Sequence, residues 1–327
     1  MSELHDRIMD AIPPGGSSTV GRLAKNINSE KKTVLNACLM LDAMKLVSVR
    51  KPLFGVFGDY SIKKLKEVSA IEKAKIKCKV TAIINQKGGV GKTITAINVA
   101  GCLSKLGKRT LLVDLDPQGN STGILAEGKP QASLYDALIS DAQAERIIVK
   151  TRFGNLDVMP SDINLAGAEV DLVNVKDRES RLKQLLDAVK GGYEYVIIDC
   201  PPALSLLTIN ALVAADSALI PVQCDYFALD GLNQLSETID LVKERLNARL
   251  EIEGLLLTMY EPQNQLSVKT AEEVKKQFKS NVFETVIHRD ATVGEAAKSR
   301  TPLIYYDESA RSSIEYLKVA KKITENG

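Results

Sequence analysis

From residue 80 onward, short apolar and β-branched runs alternate with longer stretches whose apolar residues recur at helical spacing. The runs at 80–85, 110–114, 156–159, 195–199, 217–222, 253–258 and 282–287 predict strands, and helical patterns separate most of them. Strands this continuously apolar are buried on both faces. The pattern therefore predicts an α/β fold, a mostly parallel, doubly wound sheet with helices on both sides. A final helical stretch runs over about 310–324.

The first 60 residues carry a different pattern. Residues 2–12 predict a helix ended by Pro13-Pro14-Gly15-Gly16. Ser17-Ser18-Thr19 can cap a short second helix around 20–25. Asn28-Ser29 caps a third over 30–44, with Val34, Leu35, Cys38, Leu39 and Leu41 down one side. Residues 46–50 read as a strand, and 54–61 as a turn and return strand. Three helices closed by a hairpin resemble a winged helix-turn-helix, which would present Lys31, Lys32 and Asn36 to a major groove and Lys51 on the wing. Docking to protein is the other use of such a unit. The lysine-rich stretch 61–79 marks a linker, so the expected organisation is a small domain at 1–60, a linker at 61–79 and an α/β domain at 80–327.

Composition sharpens this division. The 327 residues suffice for one large and one small domain, and 45% hydrophobic with 26% charged residues describes a soluble globular chain. No run approaches the ~20 apolar residues of a membrane helix, and residues 1–6 lack a signal peptide's basic start and apolar core. Five scattered cysteines and two histidines argue against a zinc or iron–sulfur site and for reduced thiols in the cytoplasm. The formal charge of +2 conceals an asymmetry. Residues 1–79 hold 15 basic and 8 acidic side chains, net +7, and the remainder holds 28 and 33, net −5. A basic N-terminal module points to nucleic acid.

The chemistry starts where the first α/β strand ends. Asn85-Gln86-Lys87-Gly88-Gly89-Val90-Gly91-Lys92-Thr93-Ile94 turns from strand through glycines into a helix. Glycines let backbone N–H groups face an anion, and the helix N-terminus adds partial positive charge. Lys92 would reach the β- and γ-phosphates of a nucleotide, and the Thr93 hydroxyl would hold Mg²⁺. The strict P-loop places glycine where this chain has Gln86, and Lys87 adds a second lysine. Ligands bind at the carboxyl ends of such strands. Asp114 and Asp116 follow the second strand, and Asp199 follows the run 195–198. A carboxylate there is the usual second arm of a Mg²⁺–nucleotide site, acting through water.

Together, Lys87 to Thr93, Asp114-Leu115-Asp116-Pro117-Gln118-Gly119-Asn120 and Ile198-Asp199-Cys200-Pro201-Pro202 resemble the deviant-Walker ATPases of the ParA/Soj partition family. So do Met159-Pro160-Ser161-Asp162 with the Leu165-Ala166-Gly167-Ala168-Glu169 that follows, and Arg178-Glu179-Ser180-Arg181-Leu182. The resemblance covers about 79–325. It implies an ATP-hydrolysing, Mg²⁺-dependent partition ATPase that closes into a homodimer on ATP, binds DNA and is stimulated by a ParB-type centromere-binding protein. Nucleoid-associated localisation in the cytoplasm goes with it. By resemblance Lys87 is the signature lysine that crosses to the partner's nucleotide, Asp116 organises the attacking water, and Asp114 supports the Mg²⁺ shell with Asp199 and Thr93. The basic N-terminal unit resembles the DNA-binding extensions of the larger members.

Ile94 stands where the family commonly has a second threonine. Two arginines that the family places on its DNA-binding surface are Gln263 and Thr292 here. Since nonspecific DNA binding is largely phosphate neutralisation, the contact would pass to Lys269, Lys275, Lys276, Lys298 and Arg300, or to the N-terminal unit. Two other classes are a MinD-like positioning ATPase and an ATP-gated transcriptional regulator reading its operator with the winged unit. MinD-like proteins use an amphipathic tail beyond the fold. Here 314–323 reads as the closing helix itself, so no membrane contact is expected.

Overall fold

A computed structural model describes residues 7–8, 10–12, 17–30, 34–35, 38, 47–50, 61–64 and 78–325, apart from 129–131, 141 and 226–227. The chain forms two compact units, residues 1–76 and 77–327.

In the first unit, β1 (Ser17–Thr19), β2 (Val47–Arg50) and β3 (Ser61–Lys64) form an antiparallel sheet in the order β1-β3-β2. The Thr19 hydroxyl accepts from the Arg22 amide and so caps the helix Val20–Asn26, as expected. Ser17–Thr19 is nevertheless also a strand, because its backbone pairs with β3. The return strand lies at Ser61–Lys64, so the first residues assigned to the linker belong to this sheet, and the small unit runs past residue 60. Its apolar centre gathers Ile8, Ile12, Val20, Leu23, Val34, Cys38 and Ile62. The expected strand residues 54–60 and most of the lysine-rich stretch lie outside the described residues.

The second unit is built on β4 (Lys79–Ile83), β5 (Thr110–Asp114), β6 (Val149–Lys150), β7 (Leu156–Met159), β8 (Tyr195–Asp199), β9 (Ser217–Gln223) and β10 (Glu251–Thr258). Their order is β10-β9-β4-β8-β5-β7-β6, parallel throughout except for the β6–β7 pair. Buried side chains alternate between two cores. Ala82, Ile84, Leu111, Val113, Val196 and Ile198 face one layer. Ile83, Leu112, Ile197 and Leu219 face the other, with Ile97 and Leu103 of the helix Lys92–Lys105. That helix is buried nearly all round, Thr95, Val99, Ala100 and Cys102 included, against the sheet and the helix Arg311–Glu325.

One expected strand is not a strand. Residues 282–287 form no ladder; one isolated parallel bridge joins Leu255 to Val282, and another, just past the segment, joins Tyr260 to His288. The Phe283 amide donates to the Leu255 carbonyl and the Ile287 amide to the Leu257 carbonyl. Four residues thus advance here while β10 advances two, which breaks the ladder. The cause is local. Gly254 sits at φ 151° at an irregularity in β10, and a Cβ there would fall 2.6 Å from the Phe283 ring.

Candidate nucleotide site

The loop after β4 is clamped before it is shaped. The Asn85 side chain donates to the Pro221 carbonyl (2.7 Å) and accepts from the Lys87 amide (3.0 Å). The Thr258 hydroxyl at the end of β10, fully buried, donates to the Val90 carbonyl (2.9 Å). Gly89 and Gly91 have φ of 77° and 89°, the left-handed region where a Cβ is penalised. Gly91 is the N-cap of the helix Lys92–Lys105, so the free amides of its first turn are left at the loop. The Lys92 ammonium donates back to the Lys87 carbonyl (3.0 Å) and is only 7% exposed. Burial draws its pKa down, against the opposing pull of Asp199, Cys200 and Asp116.

The three carboxylates converge as the strand ends predict. Parallel pairing sets Asp114 of β5 directly opposite Asp199 of β8. Asp199 is fully buried, and one oxygen accepts from the Ser121 hydroxyl (2.7 Å). Its other oxygen, Oδ1, is buried without a hydrogen-bond partner. Burial pushes the Asp199 carboxyl well above the usual range, the Asp114 charge adds to this, and the Ser121 and Thr93 hydroxyls oppose it. Burial raises Asp114 too, partly offset by its bonds to Thr122. Asp114 accepts from the Thr122 amide and hydroxyl (2.7 Å each) and from the Asp116 amide (3.3 Å). Its oxygens thus fasten the turn that carries Asp116. Asp116 accepts from the Gln118 amide (2.9 Å), and Gly119 at φ 63° closes that turn into the helix Asn120–Leu125.

The lone Asp199 Oδ1 beside Thr93 fits a divalent cation held through water. Among the described residues no three His, Cys, Asp or Glu side chains are grouped to hold a metal by themselves. A cation here would depend on the Thr93 hydroxyl and ligand oxygens, which suits Mg²⁺ with a nucleotide. Beside the loop, a cavity of about 210 Å³ is lined by Gly91, Ile94, Met259, His288, Val293 and Tyr316, among others.

Lys87 is held from an unexpected side. Its ammonium meets Asp225 Oδ1 at 2.6 Å and contacts Oδ2 as well. Asp225 stands two residues beyond β9, where the rule that found Asp114 and Asp199 applies equally, and sequence reasoning passed over it. Asn85 and Thr258 were missed too, since a backbone clamp leaves no motif. Of the candidate DNA residues, Lys269, Lys298 and Arg300 are exposed, and Lys31, Lys32 and Lys51 lie outside the described residues.

Residues 78–252 match the family model described as an AAA domain. The sporulation initiation inhibitor protein Soj of Bacillus subtilis (strain 168) is 52% identical over 251 residues, which cover 76% of this chain and 99% of that protein. The chain belongs to the ParA/Soj family of partitioning ATPases. A second ParA/Soj relative, the chromosome partitioning protein ParA of Caulobacter vibrioides (strain NA1000 / CB15N), is 46% identical over 249 residues, 75% of this chain and 93% of that one. Among solved structures, cobyrinic acid a,c-diamide synthase from Mycobacterium smegmatis with bound ADP and magnesium aligns at a TM-score of 0.68. It is 33% identical, and the match covers 76% of this chain and 95% of that one. That likeness agrees with the mostly parallel, helix-covered sheet described above. Among the described residues no helix is long and apolar enough to cross a membrane.

Proposed function

We propose that this chain is an ATP-hydrolysing partition ATPase whose working form is a homodimer closed around two Mg²⁺·ATP. The observation that carries the reading is the convergence of Lys92, Asp116 and Asp199 on one glycine loop that also bears Lys87. Loop amides and Lys92 would hold the β- and γ-phosphates, and the cavity beside Gly91 and Ile94 would receive the base. Thr93, with Asp199 through water, would hold Mg²⁺, which supplies charge neutralisation at the transferred phosphoryl group. Asp116 would orient the attacking water, and Asp114, with both oxygens bonded, would position Asp116's turn. Lys87 would cross to the facing subunit's phosphates, as an arginine finger does.

Closure would create a surface that grips DNA, and hydrolysis on contact with a ParB-type partner would release it. Exposed Ile163, Val170 and Val173 follow β7 and offer apolar area for such contacts. The three-stranded unit at the N-terminus supports a winged-helix reading with DNA as its ligand. The test is a pair of variants. Lys87→Ala should stay monomeric with Mg²⁺·ATP by light scattering. Asp116→Ala should bind ATP and dimerise yet hydrolyse roughly 10²-fold more slowly. Parent-like cycling by both variants would overturn the mechanism.

A further inference from the structure

The lysine that the proposed function sends into a facing subunit is already engaged within its own. Asp225 meets the Lys87 ammonium with both carboxylate oxygens. Asp225 is itself well fixed, since its amide donates to the Gln223 carbonyl (2.8 Å) and its carbonyl accepts from the Ala228 amide (3.1 Å). Lys87's own backbone is tied by Asn85 to the same end of β9. The contact therefore joins two anchored segments, and engaging another subunit requires breaking it.

We infer that Asp225 is an intrasubunit lock on Lys87, holding the lysine in cis until a triphosphate in a facing subunit outcompetes it. The inference rests on the reading of Lys87 as a trans-acting residue. Both side chains are about one-third exposed, 32% and 31%, so water screens the pair and leaves it reversible. One carboxylate offers a single negative charge, and a triphosphate offers several. A diphosphate lacks the terminal group that a crossing lysine would reach, so the lock also sharpens the distinction between ATP and ADP. Apparent affinity falls by the fraction of molecules that are competent. Each dimer must unlock two lysines, so the factor enters the dimer constant squared. A threefold unlocking penalty per subunit becomes about tenfold in the dimer Kd.

The test uses the full-length chain with Mg²⁺ and either the ATP analogue AMPPNP or ADP, read by sedimentation equilibrium. Asp225→Asn and Asp225→Ser, each matched to the parent by melting temperature, guard against one substitution misfolding. The lock predicts dimers at about tenfold lower protein concentration with AMPPNP and monomers with ADP. It also predicts that Asp225→Asn combined with Lys87→Ala behaves like Lys87→Ala alone. An unchanged or weaker AMPPNP dimer in both Asp225 variants overturns the lock. If instead Lys87→Ala alone dimerises like the parent, the trans-lysine reading fails and takes the lock with it.

Discussion

At Asp199 a full carboxylate is buried opposite a second one, with one oxygen lacking a partner. Such a group is stabilised by proton or cation. Its folded-state pKa lies above its unfolded value, so its favourable contribution is present at low pH and is lost as pH rises through the raised value. Above the raised pKa, Asp199→Asn should therefore stabilise the ligand-free chain by about 1 kcal/mol, read as a higher melting temperature. The gain should vanish in acid, where the parent carboxyl is already protonated. The same variant should lose the added stability that Mg²⁺·ATP gives the parent, as a melting series with and without magnesium would show. Asp199 and Asp114 were legible in the sequence because an acid after an apolar strand is a pattern in one dimension. Asp225 obeys the same pattern, but its significance depends on Lys87, 138 positions away. Asp114 was legible as a carboxylate at the site, while its bonds to Thr122 became visible only in three dimensions.

Among the elements, the P-loop depends on β10 as much as on its own glycines. Thr258→Val keeps the shape of the buried side chain but strips the Val90 carbonyl of its donor. The expected cost is about 1 kcal/mol in urea denaturation, with nucleotide affinity roughly tenfold weaker in a fluorescent-ADP titration because the cradle is no longer held. Unchanged affinity would show that the glycine loop is rigid by itself. Strands β5, β7 and β8 match the apolar runs residue for residue, since a strand buried on both faces leaves a continuous signature. The two-residue β6 is too short to leave one. Residues 282–287 carry the signature of a strand, but their four-residue advance against two of β10 leaves only isolated bridges.

For the molecule as a whole, the charge imbalance between the units bears on DNA. Residues 80–327 carry a net −5 against +7 for residues 1–79, and the resemblance implies arginines where Gln263 and Thr292 stand, so the N-terminal unit is the expected source of phosphate-neutralising charge. Removing residues 1–76 should weaken DNA binding at least tenfold near physiological salt and flatten the plot of log affinity against log salt. A truncated chain that retains ATP-dependent binding and its salt slope would instead assign the contact to Lys269, Lys298 and Arg300. The sequence showed this asymmetry plainly, because charge can be counted without a fold. The sheet's two margins carry a further consequence. On one side the residues after β10 occupy its outer backbone groups without continuing the ladder, and on the other β6 is a two-residue antiparallel strand ending in the exposed Lys150. Margins so blunted do not template another chain. Higher-order assembly on DNA would then proceed through side-chain surfaces that nucleotide can switch, and not through a shared, irreversible backbone zipper of the amyloid kind.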